Sequence, residues 1–220
     1  MSKKAKYILS AVLFALFILL AVLLKTVDVA PIGPEGTSIG LSHLNVMFRD
    51  MIGTNQDVYM LTKIAGIVTI GIVGIFAVMG LVQWIQRKNL FKIDRELLYL
   101  AGLYFAIFVF YVLFNKVIVI NYRPVIMPGD LHPEPSFPSS HSLMGCVVMG
   151  SAFMLVKRYV ERDAIDLILR AFCVINMLVL VLGRFLSGVH WFTDILGGIL
   201  LGFALLLIYS AQLDGIDEKE

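Results

Sequence analysis

Six long apolar stretches constrain the fold of this chain more than any other feature of its sequence. They run over residues 7–24, 58–84, 97–114, 142–156, 171–186 and 195–211. A helix of about 17–25 apolar residues is long enough to cross a bilayer. The chain is 59% hydrophobic and 15% charged, whereas soluble domains are about 45–50% apolar and about 25% charged. We therefore expect an all-α fold, a bundle of six transmembrane helices.

The length of 220 residues suits one compact unit. The sequence shows no repeat period of about 20–50 residues and no linker that would separate domains. We expect residues 1–220 to form a single integral-membrane domain, with the first apolar stretch retained as a span rather than removed as a signal peptide.

The distribution of basic residues predicts how the bundle is oriented. Of the 18 Lys and Arg residues, 12 lie at the N-terminus, between stretches two and three, between stretches four and five, or in the C-terminal tail. Because cytoplasmic loops carry such an excess, we expect a multi-pass protein of the cytoplasmic membrane with both termini inside. The basic residues are divided among separate loops without a nucleic-acid-binding motif, so nucleic acid is not an expected partner.

Ionisable residues collect where the third to sixth stretches meet the opposite, extracytoplasmic side. They are Lys116, Arg123, His141, Arg184, His190 and Asp194. Taken singly, each has an ordinary explanation, such as a snorkelling lysine, an interfacial anchor or a helix cap. In an antiparallel bundle, however, these ends lie side by side, and ionisable groups near a membrane core are functional candidates by default. We therefore expect the group to form one site.

The residue types of this group suit a phosphate. Lys116, Arg123 and Arg184 supply positive charge, and the planar fork of arginine binds phosphate oxygens in pairs. Ser139 and Ser140, at the start of the fourth stretch, add hydroxyl and backbone N–H donors. Phosphoryl transfer depends mainly on positioning and on neutralising charge. No metal or other cofactor is therefore expected.

Two histidines can supply the remaining chemistry. One histidine attacks phosphorus to form a phosphohistidine, while the other protonates the leaving oxygen and later activates water. Asp194 follows His190 by four residues, one turn along a helix, so it can accept a hydrogen bond from one ring nitrogen and fix the tautomer. This spacing favours His190 as the nucleophile.

Three segments carry these residues: "KVIVINYRP" at 116–124, "PSSH" at 138–141 and "GRFLSGVHWFTD" at 183–194. They resemble the motifs K-x6-R-P, P-S-G-H and S-R-x5-H-x3-D of the type 2 phosphatidic acid phosphatase family. The resemblance implies that His190 is the nucleophile, His141 the general acid and Asp194 the group that orients His190. It further implies a phosphate-binding set of Lys116, Arg123, Ser139 and Arg184. Ser140 and Gly183 depart from the motifs, and Ser140 could contribute its hydroxyl instead.

The resemblance also implies hydrolysis of a lipid phosphate at the extracytoplasmic face. Among the substrates of the family, the predicted orientation narrowly favours undecaprenyl diphosphate, ahead of phosphatidylglycerol phosphate and phosphatidic acid. Two alternatives stay open: a lipid phosphotransferase with the same site, and a transporter of anionic lipids. A transporter would leave the histidines without an evident purpose. The sequence does not predict the oligomeric state.

A short amphipathic helix is predicted in the first extracytoplasmic loop. Apolar residues recur at helical spacing within residues 40–53. Ser42 is placed to cap this helix and Gly53 to end it. Such a helix either guides a lipid toward the site or packs over the bundle.

A polar loop is predicted at residues 129–137, which include Asp130, His132 and Glu134. These are metal-ligand types, but alternate residues in a loop fix no coordination geometry. A solvated loop stiffened by proline is the favoured interpretation.

Overall fold

Six helices long and apolar enough to cross a membrane form the body of the protein. A computed structural model describes residues 1–127 and 129–218. The α-helices are, in order, Lys3–Thr26 (α1), Ser42–Ile52 (α2), Gln56–Arg87 (α3), Arg95–Val112 (α4), Ser140–Met144 (α5), Gly150–Tyr159 (α6), Asp163–Leu186 (α7) and Phe192–Asp217 (α8). A π-helical turn, Leu113–Val117, extends α4, and another, Gly145–Met149, joins α5 to α6 into one span. The predicted all-α, six-span architecture is confirmed.

Most spans are longer than the apolar stretches that predicted them. Some of the additional residues are polar groups that stabilise helix ends, which a hydropathy pattern does not detect. Asn55, for example, precedes α3 and accepts a hydrogen bond from the Val58 N–H at 3.0 Å, while Asp166 in the first turn of α7 pairs with Arg170 at 2.5 Å. Lys219, counted above among the basic residues of the tail, lies outside the described residues.

The bundle has two chemically different ends. The start of α1, the end of α8 and the two basic interhelical loops lie at one end, where Lys6 of α1 pairs with Asp214 of α8 at 2.7 Å. We call this the terminal end. All three sequence motifs lie at the other, which we call the motif end.

Two spans form the centre of the bundle. In the most apolar windows of α8 and of the Ser140–Tyr159 span, 61% and 56% of residues are buried, against at most 28% in the other four spans. The second and third sequence motifs therefore lie at the starts of the two central helices. The surrounding spans expose apolar side chains, as expected of helices that face lipid.

Glycines let the two central helices approach closely. A Cβ atom on Gly198 of α8 would lie 2.8 Å from the Ser139 carbonyl oxygen, and one on Gly202 would lie 2.7 Å from the Cβ of Cys146. Small residues spaced by four are a common device for close packing of membrane helices. As a result, the Ser139 N–H donates to the Asp194 carbonyl oxygen at 2.9 Å, which joins the second motif to the third.

The segment between α4 and α5 is held by a short backbone pairing. The Arg123 N–H donates to the Glu134 carbonyl, and the Ser136 N–H donates to the Asn121 carbonyl, each at 2.9 Å. Phe137 then enters the core, where its ring stacks on Phe17 of α1 at a centroid distance of 5.6 Å. These contacts place the first motif beside the second.

The amphipathic helix is present as α2, but its predicted cap is wrong. Leu41, in a left-handed conformation with φ 48°, precedes the helix, and Ser42 is its first residue. The cap comes from Asp28, whose carboxylate accepts from the His43 N–H at 2.8 Å and from the Ser42 hydroxyl at 2.8 Å. These hydrogen bonds, led by that of His43, lower the pKa of Asp28 below its ordinary value. Gly53 ends the helix with φ 68°, as predicted.

Candidate active site

The three motifs surround a polar cavity of about 230 Å³ at the motif end. Its polar and charged lining consists mainly of Lys116, Arg123, Glu134, Ser140, His141 and His190. Lys116 comes from the turn after α4, and Arg123 and Glu134 come from the paired segment. Ser140 and His141 begin α5, and His190 lies just before α8. The fold thus brings together residues that are up to 74 positions apart in the chain.

His190 lies in the short segment between α7 and α8, before the first residue of α8. The prediction that His190 and Asp194 share one helical turn is therefore wrong in detail, although the two side chains are adjacent. The His190 Nδ1 is 3.4 Å from Asp194 Oδ2, and neither ring nitrogen has a hydrogen-bond partner. Burial lowers the pKa of His190 well below its ordinary value, and the nearby cations Arg123 and Arg184 add to this effect. This environment favours the neutral ring.

Asp194 is fully buried as the third residue of α8. Its Oδ2 accepts from the Trp191 N–H at 3.0 Å, and its Oδ1 lies 3.4 Å from the Asn121 amide nitrogen. The carboxylate therefore holds the backbone next to His190 as well as contacting the ring. Sequence reasoning missed Asn121, because it falls within the unspecified positions of the first motif.

His141 and Arg184 contact each other directly. The Arg184 Nη2 is 2.6 Å from His141 Nε2. Because a guanidinium has donors only, Nε2 accepts this hydrogen bond, so the proton of the neutral ring is on Nδ1. Arg184 is 1% exposed, and its guanidinium lies 4.9 Å from the ring centroid of Tyr59. Tyr59 of α3 carries no motif signal and was not anticipated.

Arg123 is paired with a carboxylate that the sequence analysis assigned to a solvated loop. The Arg123 Nη2 lies 3.0 Å from Glu134 Oε2, so Glu134 belongs to the cavity wall. Its loop neighbour His132 instead lies 3.6 Å from Glu35. Within residues 1–127 and 129–218, no three His, Cys, Asp or Glu side chains are grouped as a metal site requires. Lys116 is exposed at the cavity rim.

The two serines of the second motif occupy different environments. Ser139 is fully buried and caps α5, with its Oγ 3.1 Å from the Ser142 hydroxyl. It does not line the cavity, in contrast to the expectation that it binds phosphate. Ser140, the first residue of α5, does line the cavity.

Gly183 has a packing role in this fold. A Cβ atom at this position would lie 2.6 Å from the methyl group of Thr62 on α3. A serine, the residue of the family motif, would therefore point at α3 and displace Thr62. The departure at Gly183 is explained by close packing of α7 on α3.

Buried polar atoms without partners are concentrated at this site. In the described part of the chain, ten buried side-chain nitrogen and oxygen atoms lack a hydrogen bond, and eight of them belong to Asn121, Arg123, Ser136, His141, Arg184 and His190. Buried polar groups are almost always hydrogen-bonded, so such a concentration needs an explanation. The arginine nitrogens are donors that an anion with several acceptor oxygens would satisfy.

An apolar cleft of about 430 Å³ adjoins the polar cavity. It runs between α3, α4 and α5 and is lined by side chains such as Ile70, Val73 and Ile107. The cavity and the cleft share Tyr111, Asn115, Pro138 and Ser140. A molecule with a charged head and an apolar tail could therefore occupy both.

The chain is similar to known membrane proteins in sequence and in fold. The model of the PAP2 superfamily matches residues 95–215, which include all three motifs. A comparison with curated proteins found no significant sequence match. The fold is similar to the crystal structure of a transmembrane PAP2-type phosphatidylglycerolphosphate phosphatase from Bacillus subtilis, with 22% identity, 96% coverage of each chain and a TM-score of 0.60. The chain therefore belongs to the PAP2 superfamily and is a multi-pass membrane phosphatase that acts on lipid phosphates.

Proposed function

We propose that this protein hydrolyses a lipid phosphate monoester without a metal, through a phosphohistidine on His190. One observation carries the proposal: a cavity lined by two histidines and two cations adjoins an apolar cleft and shares lining residues with it. The cavity suits a phosphate, and the cleft suits the acyl chain that is attached to it. A soluble phosphate ester would have no use for the cleft.

In the first step, Nε2 of His190 attacks phosphorus. Because Nδ1 is the ring nitrogen near Asp194, Nε2 is the one available for the new N–P bond. His141 is protonated on Nε2 from solvent once the substrate has drawn Arg184 away, so it enters this step as an imidazolium. The P–O bond to the lipid breaks, and the leaving oxygen takes the Nε2 proton of His141. Arg123, Arg184 and Lys116 neutralise the charge on the phosphoryl oxygens.

In the second step, water attacks the phosphohistidine. His141, which has lost its proton, accepts one from this water. The N–P bond breaks and inorganic phosphate is released. His190 is then neutral again, and His141 is again the imidazolium with which the first step began.

Arg184 links substrate binding to the state of His141. In the free protein Arg184 donates to His141 Nε2, while its Nε and Nη1 atoms have no partner. A dianionic phosphate is a stronger acceptor than a neutral imidazole, so the substrate is expected to draw the guanidinium away. Nε2 of His141 is then free to take up the proton that it later gives to the leaving oxygen.

The charge of the cavity favours a monoester as the substrate. Lys116, Arg123 and nearby Arg184 are opposed by Glu134, which leaves about the charge needed to balance a phosphate of about −1.5 to −2. A diphosphate would add negative charge near Glu134. Phosphatidylglycerol phosphate, the substrate in the name of the structurally similar Bacillus protein, is therefore the first to test. Undecaprenyl diphosphate, favoured from orientation alone, is the second candidate.

The test is phosphate release by the purified protein in detergent with EDTA present. Phosphatidylglycerol phosphate, phosphatidic acid and undecaprenyl diphosphate are compared at equal mole fraction. We expect His190→Ala and His141→Ala each to lower kcat/KM by at least about 100-fold while remaining folded. Full activity of the His190 variant would exclude the covalent route, and a requirement for added metal would exclude the metal-free one. Transfer of phosphate to an added lipid alcohol would instead identify a phosphotransferase.

A further inference from the structure

The helix α2 and the turn that follows it enclose the segment that carries His190. We call residues 187–193 the His190 segment. The Asn55 N–H donates to the Ser187 carbonyl at 3.1 Å. At Gly188, where φ is 66°, a Cβ atom would lie 1.9 Å from the Gly53 carbonyl oxygen. The end of α2 therefore touches the backbone of this segment.

Asn45 forms the centre of this contact. It is fully buried, although it lies on a helix that otherwise covers the outside of the bundle. Its amide nitrogen donates to the Gly40 carbonyl at 2.9 Å and to the Thr193 hydroxyl at 3.0 Å. Its oxygen accepts from the Thr193 N–H at 3.2 Å. One side chain thus ties the loop before α2 to the first turn of α8.

Aromatic side chains add to the contact between α2 and the His190 segment. The ring of Phe48 stacks on Phe192, the first residue of α8, at a centroid distance of 4.2 Å, and contacts Phe185 of α7 at 5.7 Å. The side chain of Arg49 lies over the Trp191 ring at 5.5 Å. The buried face of α2 is therefore directed at the residues on both sides of His190.

His190 depends on this support because the direct contacts of its ring are weak, with Asp194 Oδ2 3.4 Å from Nδ1. Both ring nitrogens lack a hydrogen bond, so the orientation of the ring follows from the backbone of the His190 segment. A displacement of about 1 Å can lower a reaction rate about 100-fold when it misaligns the reacting groups. The backbone at Thr193 is therefore a place where a distant residue can affect catalysis.

We infer that Asn45 is a positioning residue, which holds Thr193 so that His190 stays aligned between Asp194 and the substrate phosphate. This inference rests on the proposed role of His190 as the nucleophile. It gives α2 a function in the reaction, beyond covering the bundle or guiding lipids.

The experiment compares Asn45→Ala and Thr193→Val with a matched control, Asn176→Ala. Asn176 is another buried asparagine, whose amide donates to the Thr69 hydroxyl at 2.8 Å within the membrane-spanning region. The readouts are the single-turnover rate of phosphoenzyme formation, KM for the lipid phosphate, and Tm in detergent. His190→Ala is measured in parallel.

We expect both positioning variants to slow phosphoenzyme formation by about tenfold or more, with little change in KM. Thr193→Ser, which keeps the hydroxyl, should retain most of the rate. Asn176→Ala should lower Tm by a similar amount and leave the rate per folded molecule unchanged. Because Asn45 and Thr193 act through one contact, the double variant Asn45→Ala/Thr193→Val should be little slower than either single variant.

Two outcomes would overturn the inference. If Asn45→Ala loses activity only in proportion to folded protein, as the Asn176 control does, its role is structural. If the two substitutions multiply in the double variant, they do not act through a shared contact. An active His190→Ala variant would be a different result, because it would remove the nucleophile and with it the proposed function.

Discussion

Arg184 illustrates at the scale of one residue how a membrane protein keeps a cation inside its core. Its guanidinium is stabilised by the Tyr59 ring and by His141 rather than by a carboxylate. A paired carboxylate would compete with a phosphate for the same donors, whereas a π face and a neutral imidazole leave the charge available. The residue is therefore buried with its charge still available for the proposed phosphate.

Replacing Arg184 should separate charge from geometry. We expect Arg184→Ala to lower kcat/KM for the lipid phosphate by about 100-fold or more, because a donor to the phosphoryl oxygens is lost. Arg184→Lys should recover only a small part of this activity, since an ammonium cannot form the planar fork. The control is Arg170→Lys, which changes an arginine that also lies over a ring, that of Phe153, at the terminal end. Equal activity of the Arg184→Lys variant and the wild-type protein would contradict the geometric role.

The protonation of His190 provides a second prediction. Because burial lowers its pKa, the ring should remain neutral as the pH falls through about 6.5, where an ordinary histidine gains a proton. Protonation, and with it loss of the nucleophile, is expected only at much lower pH. Nitrogen NMR of the histidine-labelled protein in detergent would measure this, with His190→Gln to assign the signal. Titration of the His190 ring near its ordinary pKa would contradict the prediction.

At the scale of helices, the contact of α7 with α3 decides which residue is allowed at position 183. Gly183→Ser should lower Tm and activity, because overpacking of a tight contact typically costs about 1–3 kcal/mol. Thr62→Ser in the same chain should restore both, since it removes the obstructing methyl but keeps the hydroxyl that donates to the Tyr59 carbonyl at 2.7 Å. The control is Gly74→Ser on α3, where a Cβ meets nothing within 4 Å. If Gly183→Ser leaves Tm and activity unchanged, α3 and α7 can accommodate the extra side chain and the contact does not exclude serine.

The cleft between α3, α4 and α5 can be tested in the same way. Ile107→Trp should fill part of it and raise KM for a long-chain lipid phosphate about tenfold or more, while hydrolysis of a water-soluble phosphate ester stays nearly unchanged. Phe105→Trp on the same helix is the control, because its side chain is 67% exposed and does not line the cleft. If both variants treat lipid and soluble substrates alike, the cleft does not hold the lipid tail.

At the scale of the whole molecule, the charge difference between the two ends predicts the orientation, with the motif end on the extracytoplasmic side. Leu131 at the motif end and Phe91 at the terminal end are 85% and 89% exposed. In intact cells, a membrane-impermeant maleimide should label Leu131→Cys, and should label Phe91→Cys only after permeabilisation. The native cysteines, Cys146 and Cys173, are buried and serve as the unlabelled background. The reverse pattern would place the site in the cytoplasm.

The sequence by itself determined the architecture and the main members of the candidate site. The six spans could be predicted because the length of an apolar stretch is a local property, and the thickness of the bilayer sets the length that a span needs. Lys116, Arg123, His141, Arg184, His190 and Asp194 could be selected because ionisable groups at the ends of spans are rare and their spacing matches family motifs. None of this required knowledge of how the helices pack.

The tertiary structure alone decided which partners these residues have. Glu134 beside Arg123, Tyr59 beside Arg184 and Asn45 beside the His190 segment lie in stretches without a motif, and Asn45 is 148 positions from its partner Thr193. In the structure Ser139 caps a helix instead of lining the cavity, and His190 precedes α8 instead of lying within it. Such contacts depend on how closely the helices approach. Glycines such as Gly183 and Gly198 allow a close approach because they have no Cβ atom. The distance between packed helices cannot be predicted from hydropathy or from motif spacing.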